Sequence, residues 1–581
     1  MSDKRNVQKR DSEIILNELE LTLEELDKAH AEISRLVRIA RKQKDSLLEA
    51  GMNSVGDSRT EIMSVLKNLP EITSRYDGVK ALDFYTREKK YNLAQIWAKA
   101  IQTRLGKYEA FNKSLRTLHV KLGNSAEALK LSYKLARPND ANSLAAVRKL
   151  EGRYKELHGW IPRLPGPIKP LNDRVPGRIL HLVKESRPFL SNGFVARSHK
   201  NFVAEKQAGL EPIVITEPGF PNNIGNRFQG VFDGITHVRL SAGEMPYDQI
   251  PADSYLQLFA ELAYEEVKRF KPEAIHVSSG RRGYDTALVG LALQAKTGIP
   301  LVYEVRSFFE GNWTGDMEIE CEGETFQARM NVESICMNNA DRILTIGESM
   351  KAELIERGVP EAKIGVIPNA VDPSHFSPTP RNMEISTQLG IGDIATFGYV
   401  SNMDHYRESQ ETLIQTCHEL KVRGSKMKCV LVGGGPRMAE LQKMADALEI
   451  SELCIFTGPV DHNNIQEYYS LIDFFVIPRI PERAATYVTP LKPFEAMAQR
   501  KPIIVSDLPA LVEIADPPNR GLSFEPGNYK ALADCLQELE TNRALAERIA
   551  QAGYDWVTNN RTWELNGQRY VEEFAKVRVS K

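Results

Sequence analysis

The sequence lacks the cysteine patterns that would define a disulfide-rich or zinc-dependent fold. Its six cysteines are scattered between positions 321 and 535, with no CxxC motif and no histidine pair at zinc-ligand spacing. A disulfide scaffold is therefore excluded, and we expect reduced, mostly buried thiols.

The sequence also has no run of about 18 apolar residues, which a membrane-spanning helix would need. The apolar segment of a signal peptide is likewise missing from the N-terminal residues. We therefore predict a cytoplasmic protein and leave open peripheral contact with the inner face of the cell membrane. A net charge of one sign is missing too, because 75 Lys and Arg residues oppose 77 Asp and Glu residues. This balance argues against a protein held to nucleic acid by bulk charge, although a local basic face could lie within it.

What the sequence does contain is enough chain for about three to five domains. Residues 14–48 carry apolar side chains at alternating spacings of three and four, which predicts a coiled coil over 1–50 and a homo-oligomer formed through it. One long amphipathic helix folded against its own chain is the alternative. From 58 to 160 the pattern is helical and resembles tetratricopeptide repeats loosely. It predicts a module for a protein partner, with a plain helical bundle as the alternative.

A change of architecture is predicted at the segment 161–177, which contains five prolines and is typical of a stiff linker. After it, short β-branched strands such as RILHLV alternate with amphipathic helical stretches, and the pattern restarts after Asn369. The repeated strand–helix units predict an α/β fold of two successive parallel sheets, covered on both faces. Ligands of such sheets bind beyond the carboxyl ends of the strands, so we expect one cleft between two facing domains.

The motifs in this region resemble those of one enzyme family in their order and spacing. The segments LVGGGPRMAELQKMADAL, IFTGPVDHNNIQEYYSLIDFFVIPR and VTPLKPFEAMAQRKPIIVSD are similar to GT-B-fold retaining glycosyltransferases of family 4, also called glycosyl transferases group 1. The resemblance covers roughly two thirds of the chain. It implies a GT-B fold of two Rossmann-like domains, with an acceptor domain over 178–375 and a nucleotide-sugar donor domain over 376–581 whose last helix crosses back.

The resemblance places donor-binding residues in the loop VTPLKPFEAMA. A diphosphate requires backbone amides at a helix start, or Lys and Arg side chains. Thr489 lies near the predicted N-cap, and Lys492 and Glu495 are three residues apart, so they share a helix face. By resemblance Glu495 binds the ribose hydroxyls, while Lys492 neutralises the diphosphate and stabilises the departing nucleotide. A surface ion pair between the two is the alternative.

Further donor contacts are expected from the loops after two strands of the second domain. Arg407 occupies the place of the family's basic phosphate ligand, with Ser401 and Asn402 supplying turn amides, although the usual glycine is missing. Arg407 as an ordinary solvated residue is the alternative. Val460 matches the point where the family's backbone contacts the base. The sequence also departs from the family at Tyr487, where many members have a glutamate that contacts the donor sugar.

In the first domain the candidate residues follow three strands. Gly193 opens a helix in a Ser-Asn-Gly turn and is expected to let the backbone approach the donor, with a plain helix cap by the preceding asparagine as the alternative. Glu304 and Arg306 project to one side of their strand and are predicted to orient the acceptor hydroxyl and screen the departing charge. A structural ion pair is the alternative. Arg281 and Arg282 either receive an anionic acceptor or face solvent.

The predicted function is therefore that of a retaining glycosyltransferase. It would transfer a sugar from a nucleotide-sugar donor to a glycan or lipid-linked acceptor, in the synthesis of a bacterial surface polysaccharide. The resemblance implies that no metal or other cofactor is needed, and the sequence agrees in having no DxD motif after a strand. Two alternatives stay open, which are a scaffold that has lost catalysis and a sugar-nucleotide epimerase of the same fold.

Overall fold

The computed structural model describes residues 75–579 apart from 222–224, 244–248, 281–282, 312–316 and 462–463. The predicted coiled coil and its oligomer contact at 14–48 lie outside the described residues, and so do Arg281 and Arg282. The chain divides into two compact units. In the described part, a helical unit comprises 75–154 and 317–327, and an α/β unit comprises the rest.

The helical unit is built on five consecutive helices joined by short connections. Its core lies along the apolar stripe of each helix, as in α3, where Phe111, Leu115, Leu118 and Leu122 are buried at spacings of four, three and four. The loop after α3 turns at Gly123, whose φ of +78° suits glycine. The helices are α1 (Arg75–Arg87), α2 (Tyr91–Leu105), α3 (Glu109–Leu122), α4 (Ser125–Leu135) and α5 (Ala141–Leu157).

A segment from much later in the chain completes this unit. Ile319, in the short helix α9 (Met317–Glu322), packs against the helical core. Glu324 accepts hydrogen bonds from Ser125 Oγ at 2.7 Å and from the Ala126 amide at 2.8 Å. The predicted module over 58–160 did not include this segment, because no local pattern shows which helices a distant loop contacts.

The first sheet of the α/β unit has the order β3-β4-β2-β1-β5-β6-β7-β8. All its pairings are parallel except that of β3 with β4, a hairpin that the sequence did not reveal. Its strands are β1 (Val175–Val183), β2 (Glu211–Thr216), β3 (Phe228–Phe232), β4 (Ile235–Arg239), β5 (Pro272–Ser278), β6 (Leu301–Val305), β7 (Arg342–Thr345) and β8 (Ile364–Val366). The helices between them are α6 (Gly193–Gln207), α7 (Ala252–Phe270), α8 (Asp285–Thr297), α10 (Glu324–Asn339) and α11 (Glu348–Glu356).

The second sheet has the order β11-β10-β9-β12-β13-β14 and is parallel throughout. Its strands are β9 (Thr396–Val400), β10 (Lys428–Val432), β11 (Cys454–Phe456), β12 (Phe474–Ile477), β13 (Ile503–Ser506) and β14 (Gly521–Phe524). The accompanying helices are α12 (Met383–Gln388), α13 (Gln410–Val422), α14 (Met438–Ala447), α15 (Ile465–Ser470), α16 (Arg483–Tyr487), α17 (Lys492–Ala498), α18 (Pro509–Ala515), α19 (Tyr529–Thr541), α20 (Arg543–Asn560) and α21 (Trp563–Val579). The predicted α/β class with two Rossmann-like domains is confirmed.

Two connections tie the α/β unit together. The final helix α21 returns to the first sheet, where Tyr570 and Phe574 are buried against residues of β1, β6 and β7. The proline-rich segment 161–174 is tied to α8, because the Lys296 ammonium donates to the carbonyls of Pro165 and Pro167 at 2.5 and 2.7 Å. Among the described helices, none is both long and apolar enough to cross a lipid bilayer.

Candidate functional site

Two loops pack against each other at the carboxyl ends of β9 and β10. A Cβ atom on Gly433 would lie 2.2 Å from the carbonyl oxygen of Ser401, and one on Gly435 would lie 2.5 Å from that of Met403. The Met403 amide donates to the Gly434 carbonyl at 2.9 Å. The glycine run therefore serves the close approach of the β10 loop to the β9 loop, where no side chain fits.

Gln410 fixes the turn after β9. Its amide nitrogen donates to Ser401 Oγ at 3.0 Å and to the Asn402 carbonyl at 3.1 Å. The Ser401 amide already donates to the Val432 carbonyl at 2.9 Å, so it extends the sheet and is not available to a phosphate. This geometry corrects the expectation that Ser401 supplies a turn amide. Asn402 is exposed at the same edge.

Arg407 lies on the next turn of this loop, with its side chain 27% exposed. Its guanidinium is 3.5 Å from a carboxylate oxygen of Glu482 and 3.6 Å from one of Glu408. Both separations are long for a charged hydrogen bond, so the contacts are loose. A partly exposed cation with loose partners at the end of β9 can exchange them for a phosphate.

A buried ion pair between Arg479 and Glu408 anchors the loop after β9. Arg479 donates to both oxygens of Glu408 at 2.9 and 3.1 Å, and the Tyr399 hydroxyl donates to Glu408 at 2.5 Å. Burial raises the pKa of the Glu408 carboxyl, but Arg479 and Tyr399, with a smaller contribution from Lys492, outweigh it and lower that pKa to about 2. The loop is thus anchored by an ionised carboxylate, and the charge of Lys492 acts on the same site.

Glu495 is oriented by a tyrosine that the sequence analysis did not single out. The helix α17 begins at Lys492, and Glu495 lies in its first turn. The Tyr469 hydroxyl donates to Glu495 Oε2 at 2.5 Å, and burial followed by the carboxylate holds the pKa of Tyr469 well above its usual range. The described contact of Glu495 is therefore with Tyr469, whereas the alternative ion pair with Lys492 is not among the described contacts.

Thr489 does not cap this helix. The N-cap position is Leu491, and Pro493 occupies the first turn where Pro490 was expected. Thr489 is 3% exposed, its hydroxyl donates to the Ile346 carbonyl at 3.3 Å, and its own carbonyl accepts from Asn369 Nδ2 at 2.6 Å. The structure thus places Thr489 in the seam between the two sheets and corrects its assignment as a donor ligand near the cap.

Val460 and Gly193 lie in two further loops, after β11 and at the start of α6. Val460 follows β11 and packs its side chain against the core of the second sheet. Gly193 opens α6 and is exposed, while Asn192 Oδ1 caps the helix by accepting from the Val195 amide at 2.9 Å. A Cβ atom on Gly193 would approach only Leu491 Cδ1, at 4.0 Å, so sterics within the chain do not require glycine there.

Arg306 holds the first turns of α6 instead of lining the cleft. Its guanidinium donates to Ser198 Oγ at 2.7 Å and to the Phe194 carbonyl at 2.9 Å, and it lies 5.4 Å from the centre of the Phe194 ring. The side chain is buried, and burial lowers its pKa to about 10. These contacts make Arg306 a positioning residue for the helix that begins at Gly193.

Glu304 is also buried, at 2% exposure, in a polar network beneath the seam. Arg197 donates to its Oε1 at 2.5 Å and to the carbonyls of Ile367 and Pro368. The Tyr570 hydroxyl donates to Glu304 Oε2 at 3.1 Å. Burial raises the pKa of Glu304, but Arg197 above all outweighs it and holds that pKa well below the usual range.

The geometry of these two residues does not support the predicted catalytic roles. Glu304 and Arg306 were expected at a cleft mouth because strand alternation gives the side to which a side chain points. Alternation does not give what covers that side, and here α6 and α21 cover it. Glu304 and Arg306 are therefore better described as positioning residues.

A second network of ion pairs joins the two halves of the α/β unit. Arg483 donates to Glu310 at 2.8 Å and also contacts Glu353. Arg357 contacts the same Glu310 and donates to Glu333 at 3.2 Å. Burial, and then the charge of Glu310, raise the pKa of Glu333 to about 7.

Tyr487 packs against this network. Its ring packs edge-on against Phe308 at 5.7 Å, and Arg483 lies 5.1 Å from the ring centre. Its carbonyl accepts from Ser349 Oγ at 3.0 Å. The position at which the sequence departs from the family therefore carries a contact between the two sheets.

The structure brings Arg407, Lys492 and Glu495 to one edge of the second sheet. Arg197, Tyr469 and Gln410 were missed because each acts through another residue, and no local motif marks such a role. In the described ranges, no three His, Cys, Asp or Glu side chains are arranged to hold a metal ion. That the reaction needs no metal stays a prediction.

Comparisons with known families match both halves of the α/β unit. Residues 206–375 match the model described as Glycosyltransferase Family 4, and residues 384–556 match the model described as Glycosyl transferases group 1. The two matches are adjacent, and together they cover the second sheet and every strand of the first sheet except β1.

Individual enzymes match this chain over part of its length. A GDP-mannose-dependent alpha-(1-6)-phosphatidylinositol monomannoside mannosyltransferase of Mycobacterium tuberculosis is 27% identical over 208 residues, covering 35% of this chain and 54% of the relative. An alpha-monoglucosyldiacylglycerol synthase of Streptococcus pneumoniae is 24% identical over 257 residues, covering 43% of this chain and 55% of the relative. The chain thus spans little more than half the length of these relatives.

Solved structures share the fold at low sequence identity. Sucrose-phosphate synthase from Thermosynechococcus elongatus superposes with a TM-score of 0.57 at 21% identity, covering 70% of this chain and all of that one. HepE of Anabaena, in complex with UDP and glucose, gives a TM-score of 0.53 at 16% identity over 69% of this chain and 99% of that one. By its two family matches and its fold, the chain belongs to the GT-B-fold glycosyltransferases.

Proposed function

We propose that the protein is a retaining glycosyltransferase that moves a sugar from a nucleotide-sugar donor to a glycan or lipid-linked acceptor. The observation that carries this proposal is the convergence of Arg407, Lys492 and Glu495 at the carboxyl edge of the second sheet. Two cations and one oriented carboxylate match the diphosphate and the ribose diol of such a donor.

The proposed reaction depends on stabilising the negative charge of the leaving group. As the bond from sugar to phosphate breaks, negative charge grows on the departing diphosphate, and preorganised cations stabilise that charge more than they stabilise the ground state. Lys492 and Arg407 are the residues we assign to this task. Glu495, oriented by Tyr469, would hold the nucleotide in place.

The relatives support the choice of substrates. They include an enzyme named for its use of GDP-mannose and an enzyme named as the synthase of a glycolipid, and HepE was solved with UDP and glucose. We infer a UDP- or GDP-linked sugar as donor and an acceptor on the route to a bacterial surface polysaccharide. The protein would work in the cytoplasm, at or near the membrane, as an oligomer formed through residues 14–48.

The test is nucleotide release from UDP-, GDP- and ADP-sugars, with and without glycan and lipid acceptors. Lys492→Ala should lower turnover by about 100-fold or more, and Glu495→Ala should raise the donor KM. The matched control is Lys530→Ala, an exposed lysine on α19, which should leave both constants unchanged. No turnover with any donor would contradict the proposal.

A second candidate function is a scaffold in which catalysis has been lost. Tyr487 favours it, because the residue is committed to the seam contact with Phe308 and offers no carboxylate to a sugar. This candidate predicts that a nucleotide raises the melting temperature, while no donor is turned over under any condition. Turnover that depends on Lys492 would exclude it.

A further inference from the structure

The helical unit has a charge that the whole chain does not show. Between positions 75 and 154 the sequence contains 17 Lys and Arg residues against 7 Asp and Glu residues, whereas the complete chain has a net charge of −2. Most of these cations are exposed. The excess therefore lies on the surface of this unit.

Many of the exposed cations gather at one end of the unit. Successive antiparallel helices place every second loop at the same end, so the α2–α3 and α4–α5 loops are neighbours. Contacts confirm this, because Lys134 donates to the Gly106 carbonyl at 3.0 Å and Arg137 donates to Glu109 at 2.5 Å. We call this the basic end, and its exposed cations are Arg104, Lys107, Lys113, Lys134 and Arg137.

Three carboxylates are described at or near the basic end, and one of them, Glu151, accepts from the Tyr133 hydroxyl. Glu109 is shared by Lys113, at 2.7 Å, and Arg137, and their hydrogen bonds lower its pKa. Asp140 accepts from the amides of Asn142 and Ser143 at 3.0 and 3.2 Å and so caps α5. Positive charge therefore remains in excess at the basic end.

The opposite end is supplied with acidic residues by the segment 317–327. Glu324 binds the start of α4. Glu320 lies close enough to Tyr91, at the start of α2, for its charge to add to burial in raising the tyrosine pKa. The segment 317–327 thus adds acidic side chains to the opposite end and none to the basic end.

Apolar side chains accompany the cations at the basic end. Tyr133 and Leu144 flank the α4–α5 loop and are 54% and 45% exposed. Cations beside exposed aromatic and aliphatic groups are the combination by which proteins bind an anionic bilayer surface. A soluble polyanion would use the cations but would gain nothing from Leu144.

We propose that the basic end of the helical unit docks on the surface of an anionic phospholipid bilayer. Each Lys or Arg near such a surface is attracted by the anionic headgroups, so several together hold a protein at the membrane. The choice of a bilayer as the partner rests on the proposed function, since a lipid-linked acceptor would be met there. The docking itself requires no turnover.

The test is flotation of the full-length protein with phosphatidylcholine vesicles that contain either no phosphatidylglycerol or roughly 30% of it. One variant neutralises three cations of the basic end, and a matched variant neutralises three exposed cations of the opposite end. The first is Arg104→Gln with Lys107→Gln and Lys113→Gln, and the second is Arg87→Gln with Lys90→Gln and Lys121→Gln. Circular dichroism checks that both variants fold.

We expect the wild-type protein and the opposite-end variant to bind only the anionic vesicles, and the basic-end variant to bind them at least about tenfold more weakly. Equal loss in both triple variants, or no preference for anionic vesicles, would overturn the proposal. So would unchanged vesicle binding combined with lost binding to double-stranded DNA or polyphosphate. Lys492→Ala should float like the wild type, so a failure of the proposed transferase activity would not be mistaken for a failure of docking.

Discussion

The hydroxyl of Tyr469 donates a 2.5 Å hydrogen bond to Oε2 of Glu495, the carboxylate that we assign to the donor nucleotide. Tyr469 is fully buried and stacks on Phe475 at 5.4 Å, so the second sheet fixes its position. A buried tyrosine with a strongly raised pKa stays protonated and can only donate to the carboxylate. The sheet core thereby orients a side chain at its open edge.

Removing this hydroxyl should weaken donor binding without unfolding the protein. Tyr469→Phe keeps the stacked ring and loses one hydrogen bond to a charged group, which is worth about 1.5–3 kcal/mol. We expect the donor KM to rise roughly tenfold, with a smaller change in kcat. The control is Tyr468→Phe on the same helix, and equal donor affinity in both variants would contradict the role of Tyr469.

The pair of Glu408 and Arg479 should make stability fall in acid. The folded pKa of Glu408, about 2, lies below an unfolded value of about 4.3, so the stabilisation is complete above pH ~4.3 and is lost as the pH falls towards 2. Its size is about 3 kcal/mol. Urea unfolding between pH 2 and 7 should show Glu408→Gln approaching the wild type as the pH falls, and a constant difference would exclude this source.

Glu333 should make the protein less stable as the pH rises, whereas Glu408 makes it less stable as the pH falls. Its folded pKa of about 7 exceeds the unfolded value, so its cost to stability is absent below pH ~4.3, grows up to pH ~7 and is constant above. We expect Glu333→Gln to gain about 3 kcal/mol relative to the wild type between pH 5 and pH 8. The exposed Glu356→Gln on α11 is the control. A pH-independent difference would show that Glu333 does not titrate in this range.

Restoring a carboxylate at position 487 should not create a donor contact. Tyr487→Glu would place a charge next to Glu353, whose charge already adds to burial in raising the tyrosine pKa. We expect destabilisation of about 1–3 kcal/mol and no gain in turnover, whereas Tyr487→Phe should behave like the wild type. Melting temperature and nucleotide release measure both effects, and a more active Tyr487→Glu variant would show that the residue faces the cleft.

The sheet strands were largely predictable because buried parallel strands appear as short apolar runs, and most of the first sheet and most of the second follow from them. The β3–β4 hairpin was not, since its outer strand is exposed and shows no such run. That Lys492 and Glu495 lie on one short helix was predictable from their spacing, and their roles stay predictions. Thr489, Glu304 and Arg306 were misplaced because their roles depend on packing across the seam, which no single segment contains.

The helical unit is assembled from two stretches of chain separated by more than half of the first sheet. Ile319 packs into its core, and Glu324 binds the start of α4. Removing the first 154 residues would therefore not leave an intact remainder, because Ile319 would be stripped of its apolar neighbours and exposed to solvent. The proline-rich segment is a natural place to truncate the chain when a minimal enzyme is sought. Such a fragment would expose a new apolar surface, and its aggregation should not be mistaken for a folding defect of the two sheets.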